Sequence, residues 1–222
     1  MRSLPLPLAL TARLTPVAVL ACAGWALTSG PDTPAAAGGH RPAPQAPTAQ
    51  SSAPSSTATS RTYTGAPAPC AAVPAATVKS LVPGAKTAGK EIPSTDTELR
   101  RTCSWNALQG YQYRWLDVSF EIAGSDQEAA KQYQQRVTEK SGGGAVPGLG
   151  DTGYSLVNLT TEDKQQTREG VVLARLSNAL VIVTYNGSDF ETKKAPSTDE
   201  INKGAIKAAK AAVAALRGGG SG

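Results

Sequence analysis

One long stretch of this chain lacks the residues from which a hydrophobic core is built. Residues 31–66 contain no Val, Leu, Ile, Phe, Met or Trp, and eight of the chain's 16 prolines lie between Pro31 and Pro69. Such a segment cannot bury enough apolar surface to offset the entropy that a chain loses on folding. The sequence therefore predicts a disordered Pro/Ala/Ser/Thr-rich stalk at 31–66.

The segment before the stalk has the charge pattern of an export signal or a membrane anchor. Arg2 and Arg13 precede an apolar run at residues 14–27. Positive charge on the N-terminal side of an apolar run favours translocation of the chain that follows it. We therefore expect residues 1–30 to direct the protein to the extracytoplasmic face of the cell membrane, or to secrete it.

Three outcomes fit this leader. Cys22 follows an aliphatic and a small residue, as a lipidated cysteine does, and an Ala run at 35–37 offers an ordinary cleavage site. The third outcome is a membrane-spanning helix. The run at 14–27 is shorter than the roughly 20 residues that span a bilayer, so that helix would also need residues 4–12 and would bury Arg13.

Residues 67–217 have the size of one ordinary domain, followed by a flexible Gly-rich tail at 218–222. This segment contains two cysteines, Cys70 and Cys103. In an exported protein such a pair predicts a disulfide. Closing a loop of about 33 residues would contribute roughly 3–4 kcal/mol of stability in the chain-entropy model.

Alternating apolar and polar residues predict strands in this segment. The clearest patterns lie at 102–107, 111–122, 154–159, 171–176 and 179–185, with turn residues between consecutive strands. Strands in consecutive hairpins pair antiparallel. The sequence therefore predicts an antiparallel sheet of hairpins.

Helical patterns lie before, between and after these strands. A short helix is predicted at 77–81, and Ser125 with Glu128 forms a capping-box pattern at the start of a second. Ser197 with Glu200 repeats this pattern before a final helix. Hairpins combined with helices indicate an α+β fold, and we expect the helices to pack on one face of the sheet.

The charge distribution argues against a nucleic-acid partner. Arg2, Arg13, Arg41 and Arg61 with Asp32 account for +3 of the net charge of +5, so that the domain carries +2. Binding to nucleic acid needs a clustered basic surface. No such cluster is present, and we predict no nucleic-acid binding.

The residue types of the domain also argue against catalysis. The chain's single histidine, His40, lies in the predicted stalk, so that neither a Ser-His pair nor a His-ligated metal site can form in the domain. A carboxylate-based hydrolase that uses Asp117, Glu121 or Asp151 is the remaining enzymatic alternative. We therefore predict a protein without enzymatic activity, cofactor or metal.

Aromatic residues concentrate around one predicted hairpin. Trp105, Tyr111, Tyr113 and Trp115 can form a platform that binds sugar or lipid, or they can pack in the core and along the sheet edge. Asp151 ends a Gly-rich loop, where it can cap backbone amides or contact a ligand at the rim. These five side chains are the candidate ligand-binding residues.

Several of these features together resemble a known family. They are Cys70, the motif Cys103-Ser104-Trp105, the loop Gly148-Leu149-Gly150-Asp151 with Tyr154 nearby, and the hairpin at 175–185. In this pattern, residues 69–216 resemble the actinobacterial lipoprotein family catalogued as domain of unknown function 3558. The resemblance implies a cell-envelope protein with a small disulfide-linked α+β domain, no established enzymatic activity, and acylation at Cys22.

The sequence thus predicts a noncatalytic cell-envelope protein whose extracytoplasmic domain binds an unidentified ligand or envelope protein. The alternative is a structural or sensory accessory of a membrane protein complex. In both cases the chain meets the membrane through its N-terminal anchor or lipid.

Overall fold

The computed structural model describes residues 61–219 of the chain. They form a seven-stranded antiparallel sheet in the order β1-β2-β3-β7-β6-β5-β4, together with three α-helices and a 3-10 turn at Pro69–Ala71. The strands are β1 (Lys90–Ile92), β2 (Arg100–Gln109), β3 (Gln112–Ile122), β4 (Gly144–Ala145), β5 (Thr152–Glu162), β6 (Gln165–Leu176) and β7 (Ala179–Asp189), and the helices are α1 (Ala75–Leu81), α2 (Asp126–Glu139) and α3 (Thr198–Gly219). The predicted α+β class, the antiparallel hairpins and the three helices are confirmed.

Three hairpins build most of the sheet. The turn between β5 and β6 is made by Asp163 and Lys164, both with positive φ, and the turn between β6 and β7 by Ser177, with a φ of 51°, and Asn178. Positive φ at both central residues, as in the first turn, or at the first central residue, as in the second, matches the right-handed twist of the paired strands. These turns fall where the sequence predicts them.

The predicted N-caps are present, but the capping boxes are not reciprocal. Ser125 accepts a hydrogen bond from the Glu128 amide at 3.1 Å, and Ser197 accepts one from the Glu200 amide at the same distance. Neither glutamate carboxylate bonds back to the amide of its capping serine. The Glu128 carboxylate accepts a hydrogen bond from the Gly124 amide, and the Glu200 carboxylate pairs with Arg114 of β3. The two serines still satisfy helix amides that would otherwise lack a partner.

Helices cover both faces of the sheet. Val172 and Val183 belong to the large core beneath α1 and α3, whereas Val171 and Leu180 pack with Tyr133 of α2 in a second cluster. Because successive strand residues point to opposite faces, α2 lies on the face opposite α3. The expectation of helices on one face is therefore wrong. The uninterrupted apolar residues of β6 and β7 reflect burial on both sides.

The disulfide between Cys70 and Cys103 is present and joins the 3-10 turn to β2. The two Cα atoms are 5.1 Å apart across a sequence separation of 33. Cys103 is fully buried in the core that α3 covers. The predicted bridge is thus confirmed as a link between the start of the domain and β2, the strand next to the sheet edge.

The folded domain begins before the predicted boundary at Pro67. Tyr63 is only 8% exposed and belongs to the main core, and the Asn178 side chain bonds to the backbone of Thr62 and Tyr63. At the other end, α3 continues through Gly219. Tyr63 and the Asn178 hydrogen bonds together hold the start of the described chain to the core.

Predictions for residues 1–60 and 220–222 lie outside the described residues. They include lipidation at Cys22, the leader at 1–30 and most of the stalk. Within residues 61–219, no helix is both long and apolar enough to cross a membrane.

Candidate ligand-binding site

Helix α2 covers only part of its face of the sheet. It contacts β6 and β7, and its Arg136 pairs with Glu121 near the end of β3 at 2.6 Å. Tyr113 and Trp115 lie on the same face as Glu121 by strand alternation, but near the other end of β3. Among residues 61–219, no helix covers the sheet there, and Trp115 remains 36% exposed.

Three aromatic rings meet at this uncovered end. Tyr113 and Trp115 contact edge to face with ring centroids 6.4 Å apart, and Phe190 follows β7 with its ring 6.3 Å from that of Tyr113. Phe190 is 48% exposed. We call Tyr113, Trp115 and Phe190 the aromatic platform. A half-exposed cluster of this kind keeps apolar ring faces available for contact with a ligand.

A carboxylate fixes one ring of the platform. The Trp115 indole donates a hydrogen bond to Asp117 at 2.7 Å. Burial raises the pKa of Tyr113, and the nearby Asp117 carboxylate raises it further. Tyr113 therefore stays a neutral hydroxyl at physiological pH, able both to donate and to accept a hydrogen bond.

Polar residues of β2 extend the platform toward the sheet edge. The antiparallel register places Asn106 opposite Trp115 and Leu108 opposite Tyr113. Residues opposite each other in antiparallel strands share a face, and neighbouring strands lie about 4.8 Å apart. We call the surface formed by Asn106, Leu108 and the aromatic platform the open face.

A pocket adjoins the open face at the outer side of β2. Its volume is about 430 Å³, and Lys86, Lys90, Ser104, Asn106 and Leu108 contribute to its walls. It forms because β1 pairs with β2 only as far as Ser104. Ser104 is only 9% exposed, and its hydroxyl has no hydrogen-bond partner in the described part of the chain.

Trp105, a candidate ligand-binding residue in the sequence, does not belong to the open face; of the two alternatives that the sequence left open, it packs in the core. It lies opposite Leu116 in the register, on the face that α3 covers, and is only 2% exposed. Its indole donates to the Thr87 carbonyl at 3.0 Å, which satisfies its one polar group. Trp105 is a core residue, because odd-numbered residues of β2 and even-numbered residues of β3 both point to the face that α3 covers.

Tyr111 lies in the turn between β2 and β3 and is well exposed. Its carbonyl accepts a hydrogen bond from the Phe190 amide at 2.9 Å. Tyr111 therefore supports the platform through its backbone and lies beside it.

Asp151 lies apart from the aromatic platform, in the loop before β5. It accepts a hydrogen bond from the Ser177 amide at 2.8 Å, and Arg175 lies 3.4 Å from the same carboxylate oxygen. The predicted capping of backbone amides is confirmed. A cleft of about 420 Å³ lies between this loop and α2, but Asp151 is held by the turn between β6 and β7.

Two of the three candidate catalytic carboxylates, Asp117 and Glu121, do not form a pair. Asp117 and Glu121 are four residues apart on one strand, hence about 13 Å apart, beyond the roughly 5–9.5 Å of glycosidase carboxylate pairs. Glu121 also pairs with Arg136 and Arg100. Among residues 61–219, no group of three or more Cys, His, Asp or Glu side chains is placed to hold a metal ion.

Sequence analysis missed six residues of the open face and the adjoining pocket, namely Lys86, Lys90, Ser104, Asn106, Leu108 and Phe190. Phe190 follows β7 and meets Tyr113 only through the pairing of β7 with β3, which joins residues some 70 positions apart in sequence. Ser104 and Lys90 meet at the β1–β2 pairing. Alternation of apolar and polar residues could not predict β1, because all three residues of this short strand are exposed.

No family model matches the chain, and no curated protein sequence matches it. Among solved structures, it is similar to a crystal structure from Bacteroides thetaiotaomicron VPI-5482 at 1.50 Å resolution, with a TM-score of 0.32 and 10% sequence identity. The match covers 54% of this chain and 47% of that chain, so the chain spans about half the length of that neighbour. A similarity at this level assigns no function.

Proposed function

We propose that this chain is a noncatalytic cell-envelope protein whose domain binds a ligand on the open face. The aromatic platform carries the proposal, because α2 covers the same side of the sheet elsewhere and leaves these rings half exposed. Aromatic rings that lie outside the core bury their exposed apolar faces when a binding partner packs on them. The occupied carboxylates of Glu121 and Asp151 support a binding role over hydrolysis.

The extracytoplasmic location rests on the sequence of the leader and on the disulfide. A bridge such as Cys70–Cys103 forms and persists in oxidising compartments. The resemblance to domain of unknown function 3558 adds acylation at Cys22 as the proposed anchor. Intact-mass analysis of membrane fractions tests this, because a diacylglyceryl-modified chain that begins at Cys22 is expected, and Cys22→Ala should remove it. An unmodified full-length chain in the membrane would show a helical anchor instead.

Cosedimentation of the full chain with purified cell-wall polysaccharide tests the binding function. Trp115→Ala should weaken binding about tenfold, since losing some 60 Å² of apolar contact costs about 1.5 kcal/mol. Leu159→Ala is the matched control, because Leu159 is a similarly exposed apolar side chain on β5, away from the platform.

Equal binding by the wild type and Trp115→Ala would overturn the platform as the binding surface. If the wild type did not sediment with polysaccharide at all but copurified with one membrane protein, the chain would instead be an accessory of a membrane complex. That result would replace the proposed function.

A further inference from the structure

The pocket beside the open face has a polar and cationic character that the aromatic platform lacks. Lys86 and Lys90 both line it and both are exposed. Among residues 61–219, neither lysine forms an ion pair. Two uncompensated ammonium groups at one pocket favour an anionic group there.

Hydrogen-bonding groups lie between the lysines and the rings. Ser104 is flanked by Lys90 on β1 and Asp117 on β3, directly opposite it in each register. Its buried hydroxyl lacks a partner within the described residues, and a buried polar group without one is costly. Asn106, one step along β2, is exposed and adds an amide that can donate and accept.

The chemical character of the surface therefore changes across the strands. Aromatic rings lie on β3, the Ser104 hydroxyl and the Asn106 amide lie on β2, and the lysine side chains lie at the sheet edge. A sugar ring presents an apolar C–H face, flanking hydroxyls and, in acidic sugars, a carboxylate. A ring on Trp115 would place its substituents over Asn106, one strand spacing of about 4.8 Å away. Lys90 lies one strand farther, opposite Ser104, so a substituent that reaches Lys90 from Asn106 runs diagonally across the sheet by two residues along β2.

We propose that the open face and the adjoining pocket bind a saccharide that carries a carboxylate. The sugar ring packs on Trp115 and Tyr113, and the carboxylate contacts Lys86 and Lys90. The Asp117 carboxylate lies two strand spacings, about 10 Å, from Lys90, because Ser104 of β2 stands between them in the register. A ligand carboxylate held at the lysines is therefore kept away from it. This inference rests on the proposed function and names the chemical class of the ligand.

Isothermal titration of the full chain tests the proposal with matched pairs of oligosaccharides. The probes are uronic-acid oligosaccharides of gluco, galacto and manno configuration and a disaccharide that contains N-acetylmuramic acid, each compared with its methyl ester. We expect at least one acid to bind tenfold or more tightly than its ester. The combined substitution Lys86→Gln and Lys90→Gln should abolish this preference, so that acid and ester bind with equal affinity.

Lys79→Gln with Lys210→Gln is the matched control, because it removes the same charge from two exposed lysines of α1 and α3, on the opposite face of the sheet. This control should keep the acid preference. Acid and ester binding with equal affinity, or no binding of any acidic probe, would overturn the carboxylate assignment. The proposed function fails separately, if Trp115→Ala leaves cosedimentation with cell-wall polysaccharide unchanged.

Discussion

The Asn178 side chain joins three parts of the domain, and its replacement by alanine should be among the most damaging changes of a polar residue. Asn178 is fully buried in the turn between β6 and β7. Its amide oxygen accepts hydrogen bonds from the backbone N–H groups of Thr62 at 3.0 Å and Tyr63 at 2.8 Å. Its amide nitrogen donates to the carbonyls of Tyr63 at 2.8 Å and Ala123 at 2.9 Å.

The cost of Asn178→Ala follows from these four hydrogen bonds. A buried hydrogen bond contributes about 1 kcal/mol net, and a buried group left without a partner costs more. The substitution should therefore lower the free energy of unfolding by roughly 4 kcal/mol. That is a large share of the 5–15 kcal/mol that stabilises a typical domain.

Urea denaturation of the full chain, followed by circular dichroism, measures this loss. Asn158→Ala is the control, because Asn158 is exposed on β5, and it should change stability by less than about 0.5 kcal/mol. A loss below about 1 kcal/mol for Asn178→Ala would refute the reasoning, and with it the view that the segment before residue 67 is held to the domain by this side chain.

Three further predictions concern the rest of the domain. Gly150→Ala should lower the free energy of unfolding by more than Gly148→Ala in the same denaturation assay. Both glycines have positive φ, but a Cβ on Gly150 would clash with the Arg175 carbonyl oxygen of β6, whereas a Cβ on Gly148 would meet no atom within 4 Å. Replacing Cys70 and Cys103 by serine should cost roughly 3–4 kcal/mol of unfolding free energy, and an unchanged midpoint would argue against a stabilising bridge. Burial raises the pKa of Tyr185, so the neutral Tyr185 side chain stabilises the fold fully below pH 10 and less above it. Tyr185→Phe should therefore be less stable than the wild type at pH 7, and this difference in the free energy of unfolding should become smaller above pH 10. A difference that stays constant with pH would contradict this.

Local patterns in the sequence were enough to predict the hairpins and the helix starts. In β3, Leu116, Val118 and Phe120 are buried while the residues between them mostly face the other side. Ser125 and Ser197 cap their helices as predicted. These features depend on residues close in sequence, so that their physical causes are visible without the fold.

Features that depend on long-range pairing could not be predicted in the same way. Residues 105 and 115 are both tryptophans, ten positions apart, yet the register buries Trp105 and leaves Trp115 partly exposed. Tyr63 enters the core through hydrogen bonds to Asn178, more than a hundred residues away. Phe190 joins the platform only because β7 pairs with β3.

The two domain tryptophans offer the most direct test of binding on the open face. Their indole N–H groups can be followed by NMR in the ¹⁵N-labelled full chain, with substitutions to assign each signal, while solubilised cell-wall saccharide is added. The account predicts a saturable shift of the Trp115 signal, with a smaller change at Trp105, whose indole is bound to the Thr87 carbonyl in the core. Saccharide binding that leaves the Trp115 signal unmoved would contradict the account.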